Sequence, residues 1–293
     1  MIPISRLKKN LDFNKNLGEL VEVMKLASTI RFNQFRFTKQ AADKFSRFFE
    51  EIIKCIPLDI GAQDIYFQPR PSLPSIIILI SSDEGFIGDL NALLINRMLE
   101  LRQEKDKLFI LGQQGEHYLR DLNIDFTLLP SVTDRINVDQ VESLRDEVLK
   151  LYAGGGFSRV WVVCASFVNI TSQQIEAEQL LPLTETYFFR GMEKTAGLLE
   201  KRGFEYLFEP DSGSVIEGWV RIWLVFRLFQ LFWSSKLAEF AARVMHLEGS
   251  IQELNRVNQR LRLEYFKYLH SLSDKTIREV SASRLKTNKR DFG

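Results

Sequence analysis

The sequence predicts an α/β protein in which a doubly wound α/β domain is inserted between two terminal helices that pair as a long antiparallel coiled coil. Three observations carry this. No proline follows Pro210, and after Gly218 the only glycines are Gly249 and the terminal Gly293. Within that stretch Leu247, Ile251, Leu254, Asn258, Leu261, Tyr265, Tyr268 and Leu272 follow one another in steps of 4, 3, 4, 3, 4, 3 and 4 residues, the 3.5-residue repeat of a coiled-coil seam. Between the two proline-poor ends, short β-branched runs alternate with amphipathic ones, as in a mostly parallel sheet flanked by helices.

The elements follow in order. Pro3 to Pro57 is proline-free inside its ends and holds one glycine, Gly18. Leu7, Leu11, Leu17, Val21, Met24, Phe35, Phe45, Phe48, Phe49, Ile52 and Ile56 keep a helical period across it, so a helix of about fifty residues is expected. Pro57 to Pro74 holds four of the chain's eight prolines and reads as a linker. Ser75–Ser81 is a fully apolar strand of the kind buried on both faces. Then come a helix over Leu90–Arg102, a strand at Lys107–Leu111, a helix from Gly112 to Arg120 and a short strand at Phe126–Leu129. A helix over Val138–Tyr152 ends at Gly154, a strong strand covers Arg159–Ser166, and Ser172–Leu181 is a candidate edge strand. Phe204–Phe208 reads as a last short strand before Pro210 breaks the chain. A final helix from about Ser214 to Lys289 would be roughly 110 Å long at ~1.5 Å per residue. A compact globule of this size has a radius of gyration of only ~19 Å, so the helix is expected to project and to need a partner along its seam. The expected divisions are 1–57 for the first helix, 58–210 for the α/β domain and 211–293 for the second helix.

Bulk composition excludes several function classes. Of 293 residues, 45% are hydrophobic and 26% charged, and the formal net charge of +1 gives no global pull toward nucleic acid or anionic lipid. Cys55 and Cys164 lie far apart in apolar contexts and read as buried thiols, not as a disulfide or a metal site. Met1 to Asn10 has no long apolar run after its basic residues, which argues against a signal peptide. Trp219 to Trp233 is apolar on nearly every side, but Arg221, Arg227 and Gln230 interrupt it. No run reaches the ~18 apolar residues of a spanning helix. It reads as a helix buried by its own domain and by a partner.

No catalytic constellation emerges. A glycine-bearing strand-to-helix loop runs from Ser82 through Asp83, Glu84, Gly85, Phe86, Ile87, Gly88, Asp89 and Leu90 to Asn91. Its Gly-x-x-Gly spacing is not a dinucleotide fingerprint, and its three carboxylates would repel phosphate. A turn capped by Asp89 or Asn91 is the simpler reading. His117, His246 and His270 are too scattered for a metal site. No cofactor is expected. Asn258 within the seam fixes pairing register at some cost in stability. A rod and an α/β insert without catalytic residues work by contact with partners.

Several blocks resemble one family, the γ subunit of F-type ATP synthases. Val23-Met24-Lys25-Leu26-Ala27-Ser28, followed by Arg31 and Gln34, resembles the family's N-terminal AMKMVAASKLRRAQ signature. Ser82 to Asn91 is similar to its SDRGLCGGLN loop. Phe167-Val168-Asn169 with Leu180-Leu181-Pro182-Leu183, the stretch Tyr206–Asp211, and Ala241-Ala242-Arg243-Val244-Met245 resemble further blocks in the same order. The resemblance implies a central rotor shaft that turns inside a head of alternating alpha and beta subunits. It implies an α/β domain that rests on a membrane ring of c subunits beside an epsilon-type companion. The location implied is peripheral, on the cytoplasmic face of a bacterial inner membrane, with no span of its own and no nucleic acid. Carried over by position, Met24, Lys25, Arg243, His270, Asp274 and Glu279 are expected to contact the head or support the shaft. Asp83, Gly85, Gly88 and Asn91 are expected to shape the loop.

The chain also departs from that pattern. His270 and Asp274 stand where the family often has Gln and Thr. Ile30 replaces a small residue, Phe32, Phe35 and Phe37 make the first helix unusually aromatic, and Glu84 and Ile87 replace Arg and Cys. Trp219 to Trp233 is far more apolar than its family equivalent, so Trp219, Trp223 and Phe226 are expected to form a surface for the companion subunit or the ring. The tail from Arg284 to Gly293 runs past the family's usual end. A coiled-coil scaffold with a ligand-binding α/β domain and a small-molecule enzyme using the loop at Asp83–Asn91 are the competing readings.

Overall fold

The computed structural model describes residues 4–53, 65–68, 70, 72–183, 209 and 211–288, with side chains at 38–53, 212 and 282–288 left aside. Its elements are α1 (Ile4–Ile53), β1 (Ser75–Ile80), α2 (Leu90–Leu101), β2 (Lys107–Leu111), α3 (Gln113–Asp121), β3 (Thr127–Leu129), α4 (Val138–Ala153), β4 (Arg159–Asn169), β5 (Ser172–Leu181) and α5 (Ser212–Asn288). Each expected element among the described residues is present with ends shifted by a few residues. The strand expected at Phe204–Phe208, Cys55 and the end of the tail from Lys289 lie outside them. Packing divides the chain into a helical unit, residues 1–27 with 246–293, and a sheet unit, residues 28–245. These divisions fall inside both long helices.

The sheet unit is built on five strands in the order β3-β2-β1-β4-β5. β1 pairs parallel with β2 and β4, and β2 pairs parallel with β3. β5 returns antiparallel along β4, with Cys164 opposite Glu176. The β1 side chains alternate between two faces because the strand period is two. Ile76, Ile78 and Ile80 join Phe109, Val160, Val162 and Cys164 on one face, covered by α4 through Val141, Leu144 and Tyr152 and by α5 from Ile216 to Phe232. Ile77 and Leu79 join Leu108, Ile110 and Val163 on the other, covered by α2 through Leu94, Ile95 and Met98 and by Leu119 of α3. Helices on both faces explain why the central strands are apolar throughout.

The aromatic part of α1 has a local cause. Phe32 and Phe35 are buried against Leu237, Phe240 and Ala241 of α5. The Trp233 indole N–H donates to the Phe35 carbonyl at 3.0 Å, and the Phe35 and Trp233 rings sit 4.8 Å apart. Arg31 pairs with Asp134. Phe37, in contrast, is exposed.

In the helical unit α1 and α5 run antiparallel. A Cβ on Gly18 would lie 3.3 Å from Leu254 Cδ2, and Lys25 Nζ donates to Glu248 Oε2 at 2.6 Å. The α5 seam is as expected from Leu247 to Tyr268, and from Leu269 to Ser281 every residue is exposed. The α1 seam differs from the sequence expectation. Leu7, Leu11, Asn14, Gly18, Val21 and Lys25 are its shielded positions, while Leu17 and Met24 turn outward. The steps of 4 and 3 are kept, but polar and small residues occupy half of them.

Candidate functional site

The candidate site is a set of contact surfaces. Met24 lies at the rim of the α1 seam, 36% exposed. Its neighbour Lys25 is held by Glu248, and that bond and the charge of Lys25 hold the Glu248 carboxyl below the usual carboxylate range. His270, Asp274 and Glu279 are exposed on the part of α5 beyond the paired seam, with Lys275 3.9 Å from Glu279. Around them α1 shows Phe13, Leu17, Leu20, Val23, Leu26 and Ile30, and α5 shows Leu263, Phe266, Ile277 and Val280. A two-helix pair that has already buried its seam has no internal use for so many outward apolar side chains.

Arg243 is different. It belongs to the sheet unit, is only 3% exposed, and is used up inside the chain. Its Nη2 donates to Glu239 Oε1 at 2.7 Å and its Nε to the Gly85 carbonyl at 3.2 Å. Nη1 lies 3.6 Å from Glu84 Oε2. Glu239 is also held by Lys236 at 2.9 Å, so one buried carboxylate sits between two buried cations. The guanidinium therefore clamps the loop after β1. Arg243 was expected to contact the head or support the shaft; the bonds seen here are internal, and one of them goes to a loop carbonyl that no helical periodicity reveals. Lys236 and Glu239 were missed. Their i, i+3 and i+4 spacing to one another and to Arg243, inside an otherwise apolar run, was the available signal.

The clamped loop is shaped by its own residues. Asp83 accepts from the Gln113 amide at 3.1 Å, tying the loop to the start of α3. Asn91 accepts from the Ser82 amide at 3.3 Å and donates to the Ser82 hydroxyl at 2.9 Å. Asp89 precedes α2 without a side-chain cap bond. Gly88 and Phe86 both adopt φ of 62°, and Ile87 and Leu90 pack on Ala238 and Ala242 of α5. Phe86 is left exposed at the tip.

Trp219 and Trp223 are 7% and 6% exposed and belong to the core cluster on the α4 face of the sheet. The chain itself thus covers them, and the surface expected of them is narrowed to half-buried Phe226 and exposed Ile222. Arg227 crosses to β5 and makes two bonds of 2.6 Å to the Glu178 carboxylate, which accounts for one charge inside the apolar run. Among the described residues no helix is long and apolar enough to cross a membrane, and no group of His, Cys, Asp and Glu is placed to hold a metal ion. Cys164 is fully buried, and burial pushes its thiol well above its ordinary pKa, which disfavours the reactive thiolate.

Comparison with known proteins covers most of the chain. A family model described as ATP synthase matches residues 4–268. The chain is 24% identical over 278 residues to an ATP synthase gamma chain from Clostridium kluyveri, covering 94% of each. It is 26% identical over 280 residues to one from Clostridium botulinum, again with 94% of each covered. Its fold resembles a chain of the Euglena gracilis mitochondrial ATP synthase, in a structure of its OSCP, F1 and c-ring, with a TM-score of 0.67 at 15% identity over 97% of this chain and 94% of that one. A rotor chain of the same enzyme gives a TM-score of 0.65 at 15% identity over 92% and 98%.

Proposed function

The chain belongs to the ATP synthase γ-chain family, matched across residues 4–268, and on that premise we propose that it works as the central-stalk rotor subunit of a rotary ATP synthase. The observation that carries this reading is the double use of the helical unit. One face of each helix closes the antiparallel seam, and the opposite faces carry exposed apolar side chains from Phe13 to Leu26 and from Leu263 to Val280. Such a rod is suited to turning inside a sleeve formed by alternating alpha and beta head subunits, where apolar contact has little directional preference.

In this reading Met24, Lys25, His270, Asp274 and Glu279 meet the head, while Arg243 acts indirectly by holding the loop whose tip is Phe86. The sheet unit rests on the ring of c subunits and receives an epsilon-type companion, with Phe226 and Ile222 as the part of the apolar segment left for them. The chain contributes no catalytic group. It carries torque between ion flow through the ring and ATP chemistry in the head, from the cytoplasmic face of a bacterial inner membrane. A free-standing scaffold or a small-molecule enzyme has no need of a family match that runs through both terminal helices.

Co-expression with the head and ring subunits tests the proposal. We expect the wild-type chain to co-purify with an ATPase head and to support ATP-driven ion pumping. Leu20→Asp with Leu263→Asp should keep a folded chain but lose pumping. A chain that purifies without head subunits, or hydrolyses ATP alone, overturns the assignment.

A further inference from the structure

The two helices of the helical unit hold one layer that their apolar seam does not explain. Gly18 faces Leu254. Four residues back along α1 is Asn14, and four residues on along α5 is Asn258. In an antiparallel pair these steps lead to the same layer, one amide from each helix. Asn258 Oδ1 is buried and has no hydrogen-bond partner among the described residues. Beside it a groove of about 310 Å³, open to solvent on one side, is lined by Asn14, Gly18, Leu254, Asn258 and Arg262 and by the exposed, charged Asp12, Lys15, Glu19 and Glu22. Gly18 presents no side chain where the seam repeat calls for one, and Leu254 fills its place, since a Cβ there would lie 3.3 Å from Leu254 Cδ2.

We propose that Asn14 and Asn258 form a water-bridged polar layer that fixes the register in which α1 and α5 pair. A desolvated amide oxygen in a seam is costly. A groove this size exceeds the ~30 Å³ share of one water several times over, and water reaching it from solvent meets amide donors and acceptors on both helices. Water therefore links the two side chains in the native register. A slip of one heptad destroys the arrangement in either direction. It sets Asn14 against Ile251 and Asn258 against Leu7, or Asn14 against Tyr265 and Asn258 against Val21. Both alternatives bury an amide against apolar side chains at two layers. The seam accordingly gains specificity where it gives up apolar contact. The proposal concerns pairing within this chain and stands apart from the rotor assignment.

Disulfide trapping in the full-length chain, with Cys55→Ser and Cys164→Ala as background, tests it. Leu11→Cys with Leu261→Cys reports the native register. Leu11→Cys with Leu254→Cys, and Leu11→Cys with Tyr268→Cys, report the two slips. With both asparagines present, only the native pair should oxidise readily. In Asn14→Leu/Asn258→Leu, or in Asn14→Val/Asn258→Val should the first fold poorly, trapping of the slipped pairs should rise about fivefold or more. In a double-mutant cycle on unfolding, the single and double asparagine substitutions should depart from additivity by about fivefold or more. Slipped pairs that stay at the wild-type level in the double variant, or single effects that simply add, overturn the proposal.

Discussion

Removing Arg243 separates an internal clamp from an outward contact. In Arg243→Ala the Glu239 carboxylate keeps Lys236 but loses its second buried cation, and the Gly85 carbonyl loses its donor. The charge-assisted bond in a buried site is worth ~1.5–3 kcal/mol and the neutral one ~1 kcal/mol. Glu84 adds little, because it is 77% exposed and 3.6 Å away. The sheet unit should therefore lose about 2.5–4 kcal/mol. Arg243→Lys, a point charge that cannot reach both acceptors, should recover only part of that. Urea unfolding of the full-length chain gives the number, and limited proteolysis at Asp83–Asp89 reports whether the loop has been freed. A variant within ~0.5 kcal/mol of wild type, with the loop still protected, would refute the clamp, since surface substitutions rarely exceed that.

Other outcomes follow from the same structure. Gly112 has φ of 104°, and a Cβ there would fall 2.3 Å from the Ser81 carbonyl oxygen. Gly112→Ala should cost at least ~2 kcal/mol in urea unfolding by parting the ends of β1 and β2. Trp223→Ala should destabilise the isolated chain by ~3–5 kcal/mol, as a core truncation does, and not merely weaken a partner contact. Burial raises the Tyr152 hydroxyl from 10.0 to about 12. Its folded-state pKa exceeds the unfolded one, so its stabilising share is complete below pH 10, falls as the pH rises through 12, and disappears in Tyr152→Phe, as alkaline unfolding can measure. Glu248 titrates low because of Lys25. That pair supports the fold above the usual carboxylate range and stops doing so as acid protonates Glu248. Lys25→Met should move the Glu248 titration upward by NMR.

The sequence was most informative where one helix face meets one partner. Leu247 to Tyr268 kept the coiled-coil step, and the strands around Ile78, Ile110 and Val162 were legible because a doubly covered strand has no polar face to obscure it. The first helix misled in register. Its outward face, with Leu17 and Met24, is more apolar than its inward one, with Asn14, Gly18 and Lys25, so a hydrophobic period selects the wrong side. Trp219 and Trp223 were legible as buried but not as buried by what. Periodicity reports loss of water and not whose atoms replace it. Arg243 was visible only as part of a family block, since its acceptor at Gly85 lies across the fold. The comparisons bear out the family and the architecture, whereas the roles of Met24, His270, Asp274 and Glu279 stand as proposals.

The outward apolar faces of the helical unit also bear on how the chain fares before it meets other proteins. Leu20, Val23, Leu26 and Leu263 stand in water on a newly made copy. Each orphan molecule is then a substrate for chaperones and proteases, which recognise such display. A cell that makes the chain in excess gains no store of it. Surplus copies are expected to be cleared, and the number that persists is expected to follow the supply of the subunits that enclose it.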